Sequence, residues 1–572
     1  LAGAAPQEGR RVVHRVYQGR ALSLSLQGET LRRTGPHTFE FTGLEGTLYT
    51  DPGPGRTDAR RIDVRSAAGS YDESARLLKL RGAARMRTED GDELTAEELV
   101  VDRAVRVEGR TLNTLRAPGR FELKAPLQRM EVTGEGFTAD LESDSRFRNI
   151  SVERAGRITL SVVPPRASAT APPQTVTTTV QTPGTMRLAP EPAALARLRL
   201  LEQIDSSMAP LAARIPPPLI LDLPDGCEME RVAGAGDAPP QRSRLSAARA
   251  RFTLIEAPVP RDPNRRQAQI DSLSAAGAVL LSGGEGEQAQ CERLLWRRAG
   301  GETTLERGTS RVLIQQRDSL IHADRVRVDH AAGATTCAGN VEATLRPRPD
   351  AEPTHVRSDT LELRSAGATA APTGGPSLGL EPGPLAIRSA RAAVLEMGRI
   401  RVEAPTIAYD TRAGTAVVGG PKLFTVAPPD GAAAPLKITC AGTAVMDRPA
   451  RQIQLEQQVR IDGPAFSMEA ERARLVMDAG GRMERLLARG NVTLRPAAAG
   501  PTVVCDTIDY DPTTERMVVR GNPRAAIHTA AGDLLCEEAV INTKDGTLWT
   551  RSAREPDRII IRLNRPPNAR RP

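Results

Sequence analysis

What most constrains this chain is a pair of short signatures that return along most of its length. The first is an aliphatic or aromatic residue followed by Asp, with a Gly that ends a strand ten residues after the Asp. It occurs as Tyr71-Asp72 to Gly82, Val328-Asp329 to Gly339, Tyr409-Asp410 to Gly420 and Tyr510-Asp511 to Gly521. Asn follows in Gly339-Asn340 and Gly521-Asn522, and Gly490-Asn491 repeats the pair behind a looser Asp478. The second signature is a small residue, usually an acidic or polar one next, and an aliphatic three positions after the small one. Its copies begin at Ala96, Cys291, Ala323, Ser358, Ala470, Cys505 and Cys536, and several neighbours lie 30 to 35 residues apart.

A period of about 30 residues with no helix inside it points to stacked β rungs, each burying its apolar face on its neighbours. Asp then has a turn role, bonding the backbone, and Gly or Asn supplies a positive φ where the chain reverses. The small residue belongs where two walls come close. The stretch Val504–Asn542 shows one such unit: a strand to Asp511, a polar turn Pro512–Arg516, a strand Met517–Arg520, a break at Gly521-Asn522, and strands around Ile527 and Leu534.

Composition fits thin strands better than one large aromatic core: 39% of the residues are hydrophobic but only 3% aromatic, beside 49 Gly and 45 Pro. The formal charge is +8, and only Lys79, Lys124, Lys422, Lys437 and Lys544 are lysines, so the cations are nearly all arginine. Codon bias is the plain explanation; recognition of phosphate or carboxylate groups by the guanidinium fork is the functional one. Nucleic acid is not expected as a partner, because acids are interleaved with the arginines and aromatics for base stacking are few. No run of about eighteen apolar residues offers a membrane-spanning helix. The opening Leu1-Ala2-Gly3-Ala4-Ala5, without Met, reads as a chain whose export segment was removed or that was cut after one.

The 572 residues divide as follows. Residues 1–37 form an N-terminal segment with one alternating strand, Ala21 to Leu26. Residues 38–163 are a first β domain. Residues 164–218 are a Pro/Thr-rich linker holding the best helix candidate, Glu191–Arg214, closed by Pro216-Pro217-Pro218. Repeats follow over 219–366 and 385–563, separated by a Pro/Gly loop at 367–384, and 564–572 is a disordered tail.

Chemistry is sparse. Cys227, Cys291, Cys337, Cys440, Cys505 and Cys536 form no CxxC and have no His or Cys at ligand spacing, so no metal site is expected. Cys291, Cys505 and Cys536 stand in for the small residue of the second signature and read as small buried hydrophobes. In an oxidising compartment Cys505 and Cys536 are the first candidates for a disulfide. The six histidines form no HExxH, no GxSxG is present, and no catalytic or cofactor-binding residue is assigned. A right-handed β-helix glycosidase remains an enzyme alternative, weakened by only two Trp and five Tyr as sugar platforms. A structural or surface repeat without cargo is a third reading.

The repeat resembles the OstA-like family of lipopolysaccharide-transport proteins. The resemblance is carried by Ile407-Ala408-Tyr409-Asp410, Ala338-Gly339-Asn340-Val341, Arg489-Gly490-Asn491-Val492-Thr493-Leu494 and Asp506-Thr507-Ile508-Asp509-Tyr510-Asp511. The first block, through Gly134-Glu135-Gly136-Phe137-Thr138-Ala139-Asp140, is similar to the inner-membrane-anchored periplasmic member of that family. The likeness covers about residues 38–163 and 245–550; each motif alone is common, and their number and order carry it. It implies an elongated open β jelly roll, or β-taco, whose apolar interior carries the acyl chains of lipopolysaccharide across the periplasm. It also implies no cofactor, partners joined through edge strands, and a tether to the inner or outer membrane by a segment absent here. The chain departs from the family in being much longer than one unit and in showing no anchor or outer-membrane barrel. Candidate lining positions are Leu80, Leu94, Leu99, Val341, Val492, Leu494, Ile508, Val519, Ile527 and Leu534. Ordinary core packing explains each of them equally well, residue by residue.

Overall fold

The computed structural model describes residues 8–18, 21–50, 59–103, 106–107, 110–111, 113–141, 147–164, 174–194, 196–197, 217–235, 240–259, 262–283, 286–346, 352–364, 384–411, 413–428, 434–464, 466–479, 482–497, 500–529, 532–543, 547–551 and 559–562. The protein is all-β, and every strand pairing described within its two units is antiparallel. Contacts divide it into Leu1–Ser310 with Ala370–Leu378, and Arg311–Thr369 with Gly379–Pro572. The rungs are therefore hairpins bonded side by side and not the coils of a parallel β-helix, the architecture on which the glycosidase alternative rested.

In the first unit nine strands follow one another as an up-and-down meander from Glu8–Gln18 to Phe147–Val162. The next strands come as half-length pieces. Gln174–Gln181 and Met186–Pro190 pair with the two halves of Phe147–Val162, and Cys227–Ala235 and Leu219–Leu223 continue outward from them. The long strand Asp262–Ser282 restores the full span. The second unit has the same plan, with half-length strands between Val312 and Asp329 and again between Thr415 and Asp447, and long strands between and after them.

The half-length pieces show what the long strands do, because each long strand has a bend at its middle. The second signature marks this bend. Along a flat strand inward side chains recur every two residues, yet at each signature the two inward residues are three apart. Ala96 and Leu99, Ser358 and Leu361, and Cys505 and Ile508 are all buried, and the remaining four copies behave alike. The ladder slips at the same places: Val341 faces Ser358, Val492 faces Cys505 and Ala525 faces Cys536, each beside a register shift. A bulge of this kind bends the strand and strengthens its twist. The Ser358 hydroxyl donates to the Thr360 carbonyl at 2.9 Å, Ser66 to Ala68 at 2.8 Å, and the Cys505 thiol to Thr507 at 3.4 Å. The small residue is therefore chosen for its size at every copy, and where it is Ser358 or Cys505 it also donates to a carbonyl of the bulge.

The Gly of the first signature sits on the partner side of the same bend. Gly339-Asn340 (φ +77° and +45°) and Gly490-Asn491 (φ +79° and +47°) place two consecutive residues in the left-handed region. The acid of the second signature lies against them: Asn340 donates to Asp324 at 3.1 Å and Asn491 to Glu471 at 2.7 Å. At Asn522 it is the backbone N–H that donates to Asp506, and neither Gly521 nor Asn522 is left-handed. A strand does end at Gly420, since Thr415–Gly419 stops just before it; at the other copies the reading of Gly as a strand end is corrected. Ala334–Leu345 and Met483–Pro496 run through their Gly-Asn pairs, and the break expected at Gly521-Asn522 lies inside the single strand Arg516–Thr529.

The Asp residues do cap turns. Asp72, Asp329, Asp410 and Asp511 accept from the N–H of Ala75, Ala332, Ala413 and Thr514 at 2.9–3.1 Å. The reversal takes its positive φ four residues after each Asp, at Arg76, Gly333, Gly414 and Glu515, the geometry of a tight hairpin loop ending in a left-handed residue.

Three boundaries shift. Glu8–Gln18 pairs with Ala21–Arg33, which pairs with Thr38–Tyr49, so the described part of the N-terminal segment belongs to the first unit's sheet. The Thr-rich part of the expected linker forms the strand Gln174–Gln181, because alternate β-branched residues such as Val176 and Val180 suit a buried wall. Of the expected helix, residues 192–194 and 196–197 are helical; the rest, like the loop at 367–383 and the tail beyond 562, lies outside the described residues.

Candidate functional site

The bends give each unit two walls, and the inward side chains of successive strands align across them in register. In the second unit one wall carries an unbroken row that includes Val356, Leu395, Val402, Phe424 and Ile438 and continues through Met468, Leu494, Val503 and Ile527 to Leu534. The other carries Cys337, Leu361, Ile387, Ile407 and Val418, ending through Ala488, Ile508, Val519 and Ala539. The first unit has its own row, through Val64, Met86, Leu94, Leu123, Val132 and Ile158.

All ten sequence-derived lining positions point inward or to the bend. Leu494, Ile527 and Leu534 lie on one wall of the second unit and Ile508 and Val519 on the other, while Val341 and Val492 follow its bends. Leu94 is on the first unit's row; Leu80 and Leu99 face each other on its other wall. Nine are buried, and Leu534 is half-buried. The trough implied by the family resemblance is filled here by its own side chains: Leu80, Leu94, Leu99, Val492, Val519 and Ile527 are all 0% exposed.

Each roll is closed by contact between its two rims. In the second unit Glu352 precedes Thr354, which pairs with Met397 on one rim; Arg448 follows Asp447, which pairs with Thr415 and Gln452 on the other. Arg448 and Glu352 meet at 3.1 Å. In the first unit the Gln267 side chain accepts from the Val163 N–H at 2.9 Å and donates to the Val163 carbonyl at 3.1 Å. Beside it, the Ala268 N–H reaches the Gln128 carbonyl at 3.1 Å.

Outside, a number of arginines pair with acids on the same or a neighbouring strand. Arg485 makes a two-pronged pair with Asp509 at 2.8 and 2.5 Å, Arg520 pairs with Glu538 at 2.8 Å, and Arg401 lies between Glu396 and Glu403. The Arg485 guanidinium holds the Asp509 carboxyl below its usual range. Such pairs tie strands together at the surface and leave fewer guanidinium groups for an external anion.

All six cysteines are buried free thiols. Burial pushes Cys227, Cys291, Cys337 and Cys505 up to about 12, which suppresses the reactive thiolate. The Cys505–Cys536 pairing is not formed. The strand Arg516–Thr529 runs between the two, and strands two apart are separated by about 9.5 Å, beyond disulfide reach. Among the described residues no group of three or more His, Cys, Asp or Glu is arranged to hold a metal ion.

Residues that sequence reading missed lie at the rim: Met397, Met446 and Met477, Glu352 and Arg448. For the methionines a signal was present, since each immediately precedes a turn residue, in Met397-Gly398, Met446-Asp447 and Met477-Asp478; Glu352 and Arg448 carried none.

No family model and no curated protein matches the chain. Among solved structures, the chain aligns with one of the Photorhabdus luminescens Tc holotoxin pore (mutation TccC3-D651A) at 7% identity and a TM-score of 0.07. The alignment covers 89% of this chain and 33% of the other, so this chain spans about a third of that protein's length. A likeness at that level carries no structural or functional inference.

Proposed function

We propose that this protein is a periplasmic carrier or bridge element for the acyl chains of lipopolysaccharide or a related glycolipid, and not an enzyme. The observation that supports this most is the pair of in-register apolar rows that cross the whole second unit. A side-chain row that continues from strand to strand offers a flexible chain the same environment at every step, as transport without a precise pocket requires. Each CH₂ taken out of water contributes about 0.8 kcal/mol. Opposing it is the loss of side-chain contacts where the walls part, so cargo must enter by spreading the rims. The proposed partners are similar β proteins added at an outer strand. Glu8–Gln18 is paired on one side only among the described residues, as is Ile559–Arg562, and an unpaired strand edge templates another strand.

Binding of lipid A to the purified protein tests the proposal. Affinity that survives about 1 M salt, where the Debye length is near 3 Å, supports apolar carriage; binding abolished by salt points to an electrostatic partner. The 0% exposure of so many interior residues favours one rival, a structural repeat without cargo. That rival predicts no lipid binding at any salt.

A further inference from the structure

The seams of the two units are built differently. In the first unit the hairpin of Arg249–Val259 and Asp262–Ser282 lies over the opposite rim, sealed by Gln267, itself 2% exposed, and by a backbone bond. In the second unit the only ion pair across the seam among the described residues is Arg448–Glu352, with side chains 37% and 54% exposed. A pair this open to water is a weak clasp.

A cavity of about 320 Å³ lies at that clasp and takes its lining from both rims, with Met397 and Arg399 from one and Met446, Arg451 and Met477 from the other. The three methionines are buried, each the last inward residue before its turn. At the turn after Asp410 on that rim an aromatic ring, Tyr409, holds that place. Unbranched thioether side chains re-pack around an irregular guest where a ring would block it. The acids of the cavity are already engaged: Asp447 accepts from the Ala450 N–H at 3.0 Å, Asp478 from the Arg482 N–H at 2.8 Å, and Glu352 holds Arg448. Arg399 and Arg451 are exposed, and their guanidinium groups have no ion-pair partner among the described residues. Two free forks above an apolar, deformable floor suit an anionic head on an alkyl chain.

We propose that this seam is a lateral port. An alkyl chain bearing a phosphate or carboxylate head passes between the methionines into the interior, while the head stays at Arg399 and Arg451 and the Arg448–Glu352 clasp opens. The proposal rests on the carrier reading above and adds the point and chemistry of entry.

The test joins Glu352→Cys and Arg448→Cys with a cleavable bis-maleimide, the native thiols being buried and each single-cysteine variant serving as a control. Uptake of a fluorescent fatty acid is followed by stopped flow, with dodecyl phosphate, laurate and dodecanol as competitors. The locked protein is expected to load about tenfold more slowly or worse, and cleavage of the linker to restore the rate. Arg399→Gln with Arg451→Gln is expected to weaken dodecyl phosphate and laurate by about tenfold while leaving dodecanol unchanged. Weakening of only one of the two acids identifies the preferred head. Loading at an unchanged rate in the locked protein overturns the port and leaves the carrier reading standing. Failure of the parent protein to take up any of the amphiphiles overturns both.

Discussion

If the bend organises the fold, an added methyl group at Gly490 should be among the costlier single substitutions in the second unit. Gly490 has φ +79°, and a Cβ there would lie 2.8 Å from the Cβ of Glu471 on the paired strand. An L-residue in the left-handed region costs about 1–2 kcal/mol. The Cβ–Cβ approach cannot be relieved by rotating a side chain, so the strands must also part and the Asn491–Glu471 bond at 2.7 Å is strained. Together these give about 2–4 kcal/mol, in the range of other backbone-strain substitutions. Gly119 is the control: it lies within Asn113–Ala125, takes no positive φ, and a Cβ added to it meets nothing within 4 Å. Urea unfolding followed by circular dichroism measures both variants, and hydrogen exchange locates the change. Gly490→Ala should lower stability by the stated amount, with exchange rising first in Phe466–Met477 and Thr502–Asp511, while Gly119→Ala should cost nothing. If Gly490→Ala proves as harmless as Gly119→Ala, the bend does not depend on the left-handed pair, and the explanation of both signatures fails.

Other consequences can be checked as directly. Cys505→Ser should fold with nearly unchanged stability, since Ser358 and Ser66 make the same bond, whereas Cys505→Leu should cost about 1–3 kcal/mol by overpacking the bend; urea midpoints separate the two. The native protein should resist a thiol reagent at neutral pH and titrate six thiols after denaturation, because burial holds four of them up at about 12 and raises Cys440 and Cys536 as well. Burial lowers His330 and His14 from their ordinary value of 6.5, against the opposing charges of Asp329 and Glu73. The unfolded chain therefore takes up protons that the folded one refuses, and the stability these groups contribute is present above that value and lost as pH falls below it. Urea midpoints should drop between about pH 7 and about pH 5, and His330→Gln should flatten that slope.

How much of this was legible in the sequence depended on whether a residue's role was local. The turn Asp residues could be read because an Asp bonds the backbone only a few positions on. The all-β class and the inward face followed from alternation. The spacing of three from Cys505 to Ile508 was also visible, but its meaning was not, since a bulge is defined by the partner strand. Likewise Gly490-Asn491 looked like the end of a strand because its latch, Glu471, lies 19 residues before Gly490 and 20 before Asn491. The rim contacts were out of reach: Arg448 and Glu352 are 96 residues apart, and nothing in either neighbourhood marks the other. Val176 and Val180 were hidden for a different reason, as a Pro- and Thr-rich composition looks like a linker until a neighbouring strand gives its alternate residues a wall to join.

Photo-crosslinking along one strand tests the central claim most directly. Ile508 and Val504 both lie on Thr502–Asp511, the first buried inward and the second 41% exposed on the outer face. A photoreactive residue at each, in protein incubated with lipid A, reads out which face meets the acyl chains. Adducts at Ile508 and none at Val504 are the predicted result. Adducts at Val504 alone, or at neither position while lipid A is shown to be bound, would contradict an interior that carries lipid.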